Sequence, residues 1–181
     1  YRKSFLELAE GKMTELYDRL KPVTVTLAEE RGREVEVRLR ISSQNPGKVE
    51  RPVNRILAPY SSASAILFQA LCEDEQRAEY QENYPFWEYG GHLWNSFEQF
   101  EAYLEEVRGK GYADPQVKSK AIFPVAAPIY DAGGTFTACL GLSINNEENS
   151  SINSQRIIQE LLETSKELSK HKVNTQESLN K

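Results

Sequence analysis

The 181-residue sequence predicts an α+β fold, a curved antiparallel sheet covered by helices. Three observations carry this. The stretch "EVEVRLRI" at 34–41 alternates apolar and charged residues with a period of two. The stretch "AIFPVAAPIYDAGGTFTACLGLSI" at 121–144 is the most apolar of the chain and is broken at its middle by Asp131-Ala132-Gly133-Gly134, as a hairpin would be. Helical periodicity opens the chain, closes it, and fills the interval between these two strand regions.

Taken in order, Ser4-Phe5-Leu6-Glu7 has the form of a capping box. Leu6, Ala9, Met13, Leu16, Tyr17 and Leu20 follow at helical spacing, and Lys21-Pro22 stops that helix. Val23 to Leu27 alternates as a strand, and Gly32 sits in a polar turn. In the next strand Val35, Val37, Leu39 and Ile41 share one face, with Glu34, Glu36, Arg38 and Arg40 on the other. Asn45-Pro46-Gly47 reads as a turn and Val49 to Val53 as a further strand. "ILAPYSSASAILFQAL" is a loop running into a helix, with Ser61 or Ser62 as N-cap.

Glu73 to Tyr80 continues as a second helix, and "YPFWEYGGHLW" is aromatic and irregular. Ser96-Phe97-Glu98-Gln99 forms another capping box. Phe97, Phe100, Leu104 and Val107 make an apolar stripe that Gly109 or Gly111 ends. The hairpin at 121–144 turns through Ala132-Gly133-Gly134, whose glycines supply positive φ. Ile157, Ile158, Leu161, Leu162, Ser165 and Leu168 form a closing helix, and the polar tail from Lys170 is expected to fray.

Composition bounds the function. Hydrophobic content is 39% and charged content 27%, near globular averages. The net charge is −5, and basic residues are interleaved with acidic ones, as in "EVEVRLR" and "YLEEVRGK", so they read as solvated faces. Such a chain is a poor binder of DNA by itself. No apolar run is long enough to span a membrane and no signal-peptide pattern is present, so a cytoplasmic setting is expected. The chain starts at Tyr1 and enters a helix at once, which reads as a piece of a longer protein.

Catalysis finds little support. The two cysteines, Cys72 and Cys139, fit no metal-ligand spacing. His171 lies in the polar tail, and His92 lies in the aromatic loop with no cysteine or carboxylate at a ligand spacing. No G-x-S-x-G, P-loop or G-x-G-x-x-G occurs, and the "SSAS" cluster has no activating lysine or histidine beside it. No catalytic residue, metal or cofactor is assigned. The small residues Ser62, Ala63 and Ser64 read better as a binding element, because a helix start leaves N–H groups unpaired and favours negative charge.

Three segments in their order resemble the effector-binding domain of the IclR family of bacterial transcription regulators. They are "LAPYSSASAILFQALCEDE" at 57–75, "FEAYLEEVRGKGYAD" at 100–114, and the hairpin with "VAAPIYD". The closing helix "QRIIQELLETSKELS" fits as well. The resemblance implies a GAF/profilin-like fold with helices on both sides of the sheet. It implies a homodimer or homotetramer, and a missing N-terminal winged helix-turn-helix through which alone DNA is bound. Residues 1–169 would be the effector-binding domain and 170–181 the tail.

The pocket positions it implies are Ser62, Ala63, Asp114, Ile122, Pro124, Gly141 and Ser143. Period-two alternation puts Ile122 with Pro124, and Gly141 with Ser143, on shared faces. The expected effector is an organic or aromatic acid. Helix-start amides and Ser143 would meet its carboxylate, Asp114 a hydroxyl, and Ile122, Pro124, Phe86, Trp87 and Trp94 its apolar body. A GAF-type sensor from another signalling protein is the alternative, and an enzyme on the same scaffold a third, less supported one.

Overall fold

The computed structural model describes residues 4–116, 122–145 and 153–171. Helix α1 (Phe5–Leu20) leads into the hairpin β1 (Thr24–Arg31) and β2 (Glu34–Ile41). Five helices follow: α2 (Ala63–Leu71), α3 (Asp74–Asn83), the one-turn α4 (Phe86–Tyr89) and α5 (Gly91–Trp94), and α6 (Phe97–Lys110). The second hairpin, β3 (Ile122–Tyr130) and β4 (Phe136–Asn145), and α7 (Ser154–Ser169) complete it. The four strands form one antiparallel sheet in the order β2-β1-β4-β3. The α+β expectation holds. Ala121 and the tail beyond His171 lie outside the described residues.

Local chemistry sets the boundaries. Ser4 and Glu7 form the reciprocal box at the start of α1. The Ser96 hydroxyl accepts from the Gln99 N–H at 3.1 Å to start α6, and Gly111, at φ +84°, ends it in the left-handed region. In the second hairpin only Gly134 takes positive φ. The rest of that reversal is held by Asp131, whose carboxylate accepts from the N–H groups of Gly133 and Thr135 at 2.9 and 3.0 Å.

The sheet carries a different core on each face. Against α1 and α7 lie Val25, Leu27, Leu39, Ile41, Val125, Ala127, Ile129, Leu140 and Leu142, an aliphatic layer closed by Met13, Leu16, Ile157 and Leu161. Against α2 to α6 lie Ala28, Val35, Ala126 and Cys139, covered by Ile66, Leu67 and an aromatic group including Tyr60, Phe68, Phe86 and Phe100.

β2 does not keep all its apolar residues on one face. Leu27 of β1 pairs with Leu39 and Ala28 with Val37, so Arg38 stands opposite no partner residue. This bulge moves the alternation by one. Val35 packs with the α2 layer, whereas Leu39 and Ile41 enter the α1–α7 layer. Arg40, predicted to be solvated, is turned onto the α2 side.

Both sheet edges are guarded. No strand forms over Val49–Val53. Residues 50–57 instead run along β2 through single bridges, Arg40 with Glu50 and Glu36 with Ile56. On the opposite edge Ala126 exchanges two hydrogen bonds with Ala113. Pro124 and Pro128 point the same way as Ala126, so they remove no bond to β4.

Candidate functional site

The polypeptide entering α2 is tied down before the helix begins. The Gln69 side chain donates to the Pro59 carbonyl at 2.8 Å, the Trp94 indole to the Tyr60 carbonyl at 2.8 Å, and the Tyr60 hydroxyl to the Tyr84 carbonyl at 2.6 Å. Ser62 then caps the helix, its hydroxyl accepting from the Ala65 N–H. The N–H groups of Ala63 and Ser64 have no acceptor among the described residues.

The first turn of α2 lies on Gly141. A Cβ built there would stand 2.6 Å from the Thr26 hydroxyl oxygen and 2.9 Å from that of Ser64. Glycine is therefore what lets helix and sheet approach this closely.

A cavity of about 280 Å³ opens beside this contact. Register explains its floor. Arg40, Thr26, Gly141 and Ala126 form one row across the four strands, and Thr24, Ser143 and Pro124 form the next. Ser62, Ala63 and Ser64 make one wall, and Val37, Leu57, Arg40 and Arg55 the other. Among the described residues no carboxylate lines it. Arg40 is ion-paired to Glu50 at 3.6 Å, and the Arg55 side chain has no partner among the described residues.

Five of the seven expected residues, Ser62, Ala63, Pro124, Gly141 and Ser143, line this cavity together. Asp114 and Ile122 do not. Ile122 is 51% exposed at the outer end of β3. Asp114 is engaged elsewhere: it accepts from the Tyr103 hydroxyl at 3.0 Å, donates its N–H to that oxygen at 2.8 Å, and pairs with Lys110 at 2.5 Å. Burial alone would lower the Lys110 pKa, but the hydrogen bond and charge of Asp114 outweigh it and the net direction is up. Burial pushes the Tyr103 phenol up.

The expected aromatics are also outside the lining. Trp87 is 72% exposed, Phe86 packs with Tyr60, Phe97 and Phe100, and Trp94 packs with Phe100 and Tyr103. Sequence reasoning missed Arg40 and Arg55. The signal for Arg40 would have been a bulge, which periodicity does not reveal.

The other end of α2 flanks a second cavity, of about 320 Å³, among Ala28, Val35, Phe68, Cys72, Phe136 and Cys139, with Glu30 and Gln76 also in its lining. Burial pushes the Cys72 thiol up to about 11 and raises that of Cys139 as well, so both stay protonated near neutral pH and are poor nucleophiles. Helix-end carbonyls here are already capped: Arg77 donates to that of Gln69 and Arg108 to that of Ala70. Among the described residues no three histidine, cysteine or acidic side chains gather to hold a metal, and no helix is long and apolar enough to cross a membrane.

Comparison with known proteins bears on this geometry. No individual curated protein matches the sequence significantly. Solved structures do match in fold. HmgR of Pseudomonas aeruginosa superposes with a TM-score of 0.74 at 21% identity, over 93% of this chain and 67% of that one. The IclR protein of Thermotoga maritima gives 0.73 at 20%, over 94% and 69%. A PobR inducer-binding domain from Acinetobacter, solved as a double mutant with 3-hydroxybenzoic acid, gives 0.69 at 17%, over 90% and 96%. The family model described as the bacterial transcriptional regulator IclR C-terminal domain matches residues 2–170, and the chain belongs to that family.

Proposed function

We propose that residues 1–169 form the sensing and oligomerising unit of a cytoplasmic transcription regulator, and that its effector is a small organic or aromatic acid held in the cavity at the start of α2. One observation carries this reading: among the described residues, two amides without acceptors, the Ser143 hydroxyl and two arginines line a cavity that no carboxylate lines. Backbone N–H groups at a helix start, hydroxyls and guanidiniums all donate to an anion. At about 280 Å³ the cavity is near the lower end of ligand pockets, which suits a small metabolite. The 3-hydroxybenzoic acid in the Acinetobacter relative agrees in chemical class.

The effector would act by binding one arrangement of a homodimer or homotetramer more tightly than another. That shift would move the N-terminal helix-turn-helix domains relative to their operator half-sites. The role is sensing rather than catalysis: both thiols are protonated, and neither His92 nor His171 lines this cavity. Calorimetry against a library of organic acids tests the reading, which fails if none binds. Sedimentation at micromolar concentration should show at least a dimer. This chain, at net charge −5, should show no salt-dependent binding to duplex DNA.

A further inference from the structure

We infer that the effector is a dianion, a short dicarboxylate spanning from the first turn of α2 to the Arg40–Arg55 pair. This rests on the reading that the cavity binds an acid, and it specifies which kind. The cavity has two anion-favouring ends. At one, the Ala63 and Ser64 amides have no acceptor among the described residues. At the other, Arg40 is ion-paired to Glu50 at 3.6 Å and the Arg55 side chain has no partner among the described residues.

The two ends are set apart by the sheet itself. Arg40, Thr26 and Gly141 stand in one row on three successive strands. Neighbouring strands are about 4.8 Å apart, so the Arg40 and Gly141 backbones are separated by roughly 10 Å. The first turn of α2 rests on Gly141, so the guanidinium end and the amide end lie on opposite sides of the cavity. A monoacid reaches one end and leaves the other unmatched. Between the ends the floor offers the hydroxyls of Thr24, Thr26 and Ser143, which suit the oxygen atoms of a polar linker rather than an apolar chain.

The charge at the arginine end has a structural origin. The bulge at Arg38 turns Arg40 onto this face, and residues 50–57, which bridge to β2, bring Arg55 to the same cavity, its carbonyl accepting from the Val37 N–H at 2.9 Å. Were Arg40 only a clamp for Glu50, Arg55 would have no reason to share the cavity wall with it. Bidentate guanidinium–carboxylate pairing is the interaction such a pair is built to make.

The test compares acids matched in skeleton, titrated by calorimetry into the full-length regulator at fixed ionic strength: butanoate with succinate, pentanoate with glutarate, benzoate with isophthalate. At least one diacid should bind tenfold or more tightly than its monoacid. Arg55→Gln, a change at an exposed side chain, should remove most of that preference, weakening the diacid at least fivefold more than its monoacid. Glu50→Gln, which releases Arg40, should increase the preference. Equal affinity within every pair, or equal weakening of both members by Arg55→Gln, overturns the dianion while leaving acid sensing intact. If no acid binds at all, acid sensing itself is lost and the dianion with it.

Discussion

The two faces of the sheet are packed to different standards. The α1–α7 face is aliphatic and continuous, from Val25 and Leu27 through Leu140 and Leu142 to Ile129. The α2–α6 face is built of rings set edge to face, such as Tyr60 on Phe86 and on Phe100, and it leaves a cavity beside each end of α2. Close packing contributes dispersion and excludes water. A face with gaps gives up some of that. The contrast teaches a division of labour: one face fixes the sheet in place, so that the other can stay underfilled and receive a ligand.

That contrast can be attacked from both sides. The largest effect is expected from Leu140→Ala in the closed layer. It should cost about 2–5 kcal/mol of stability and leave acid affinity of the folded fraction unchanged, as read by denaturant unfolding and calorimetry together. Affinity that falls with it would mean the faces are not independent.

Gly141→Ala comes next. The added Cβ would meet the hydroxyls of Thr26 and Ser64, so these must rotate or α2 must lift. A cost of about 1–3 kcal/mol is expected, with acid affinity falling as well, because the helix start forms the cavity wall. Loss of stability alone would separate the helix–sheet contact from binding.

Ser143→Ala should be smaller still. It should weaken acid binding by about 0.5–1.5 kcal/mol, or up to about 3 against a charged acceptor, with no shift in melting temperature. An unchanged affinity would remove Ser143 from the site.

The last effect is absent at neutral pH and belongs to the ring-rich face. Burial raises Tyr60 to about 12 and raises Tyr103 and Tyr80 further in the same direction. Because the folded values lie above the unfolded one, near 10, the folded state holds its phenolic protons more tightly. The stability from these groups is complete below about pH 10 and is lost as pH rises through the folded values. The part of the tyrosinate absorbance that belongs to Tyr60, Tyr80 and Tyr103, identified by their Phe substitutions, should therefore rise together with unfolding, not before it. Ionisation of these tyrosines in the intact fold would contradict their burial.

Much of the fold was legible in the chain. The Ser4–Glu7 box, the Lys21-Pro22 stop, the Gly111 cap and the Ser62 cap each depend on neighbours in sequence, and each is where local chemistry puts it. The α7 stripe was equally plain, because Ile157, Leu161 and Leu168 are spaced to share one helical face. What failed depended on distant partners. Val49–Val53 has strand-like residues, but only isolated bridges join this region to β2. Asp114 looked available because its partner Tyr103 sits eleven residues away on α6, and Lys110 ends that helix on the other side of the Gly111 cap. For the candidate cavity, residues brought by a helix start and a paired hairpin came out together, whereas Arg40 and Arg55 depend on an irregular pairing.

That irregularity limits how this sequence can change. Were Arg38 paired with Leu27 instead of bulged, with the pairing from Glu34 to Val37 kept, β2 would run in strict alternation. Arg40 would then face the aliphatic layer of α1 and α7, while Leu39 and Ile41 would come to lie under the cavity. Loss of the bulge alone would thus bury a charge and line the ligand site with apolar side chains, with every residue of the sequence unchanged. Substitutions along this strand act one position at a time. A change in its pairing acts on all positions beyond it, so the electrical character of the cavity is stored in the register of the strand as much as in the identities of its residues.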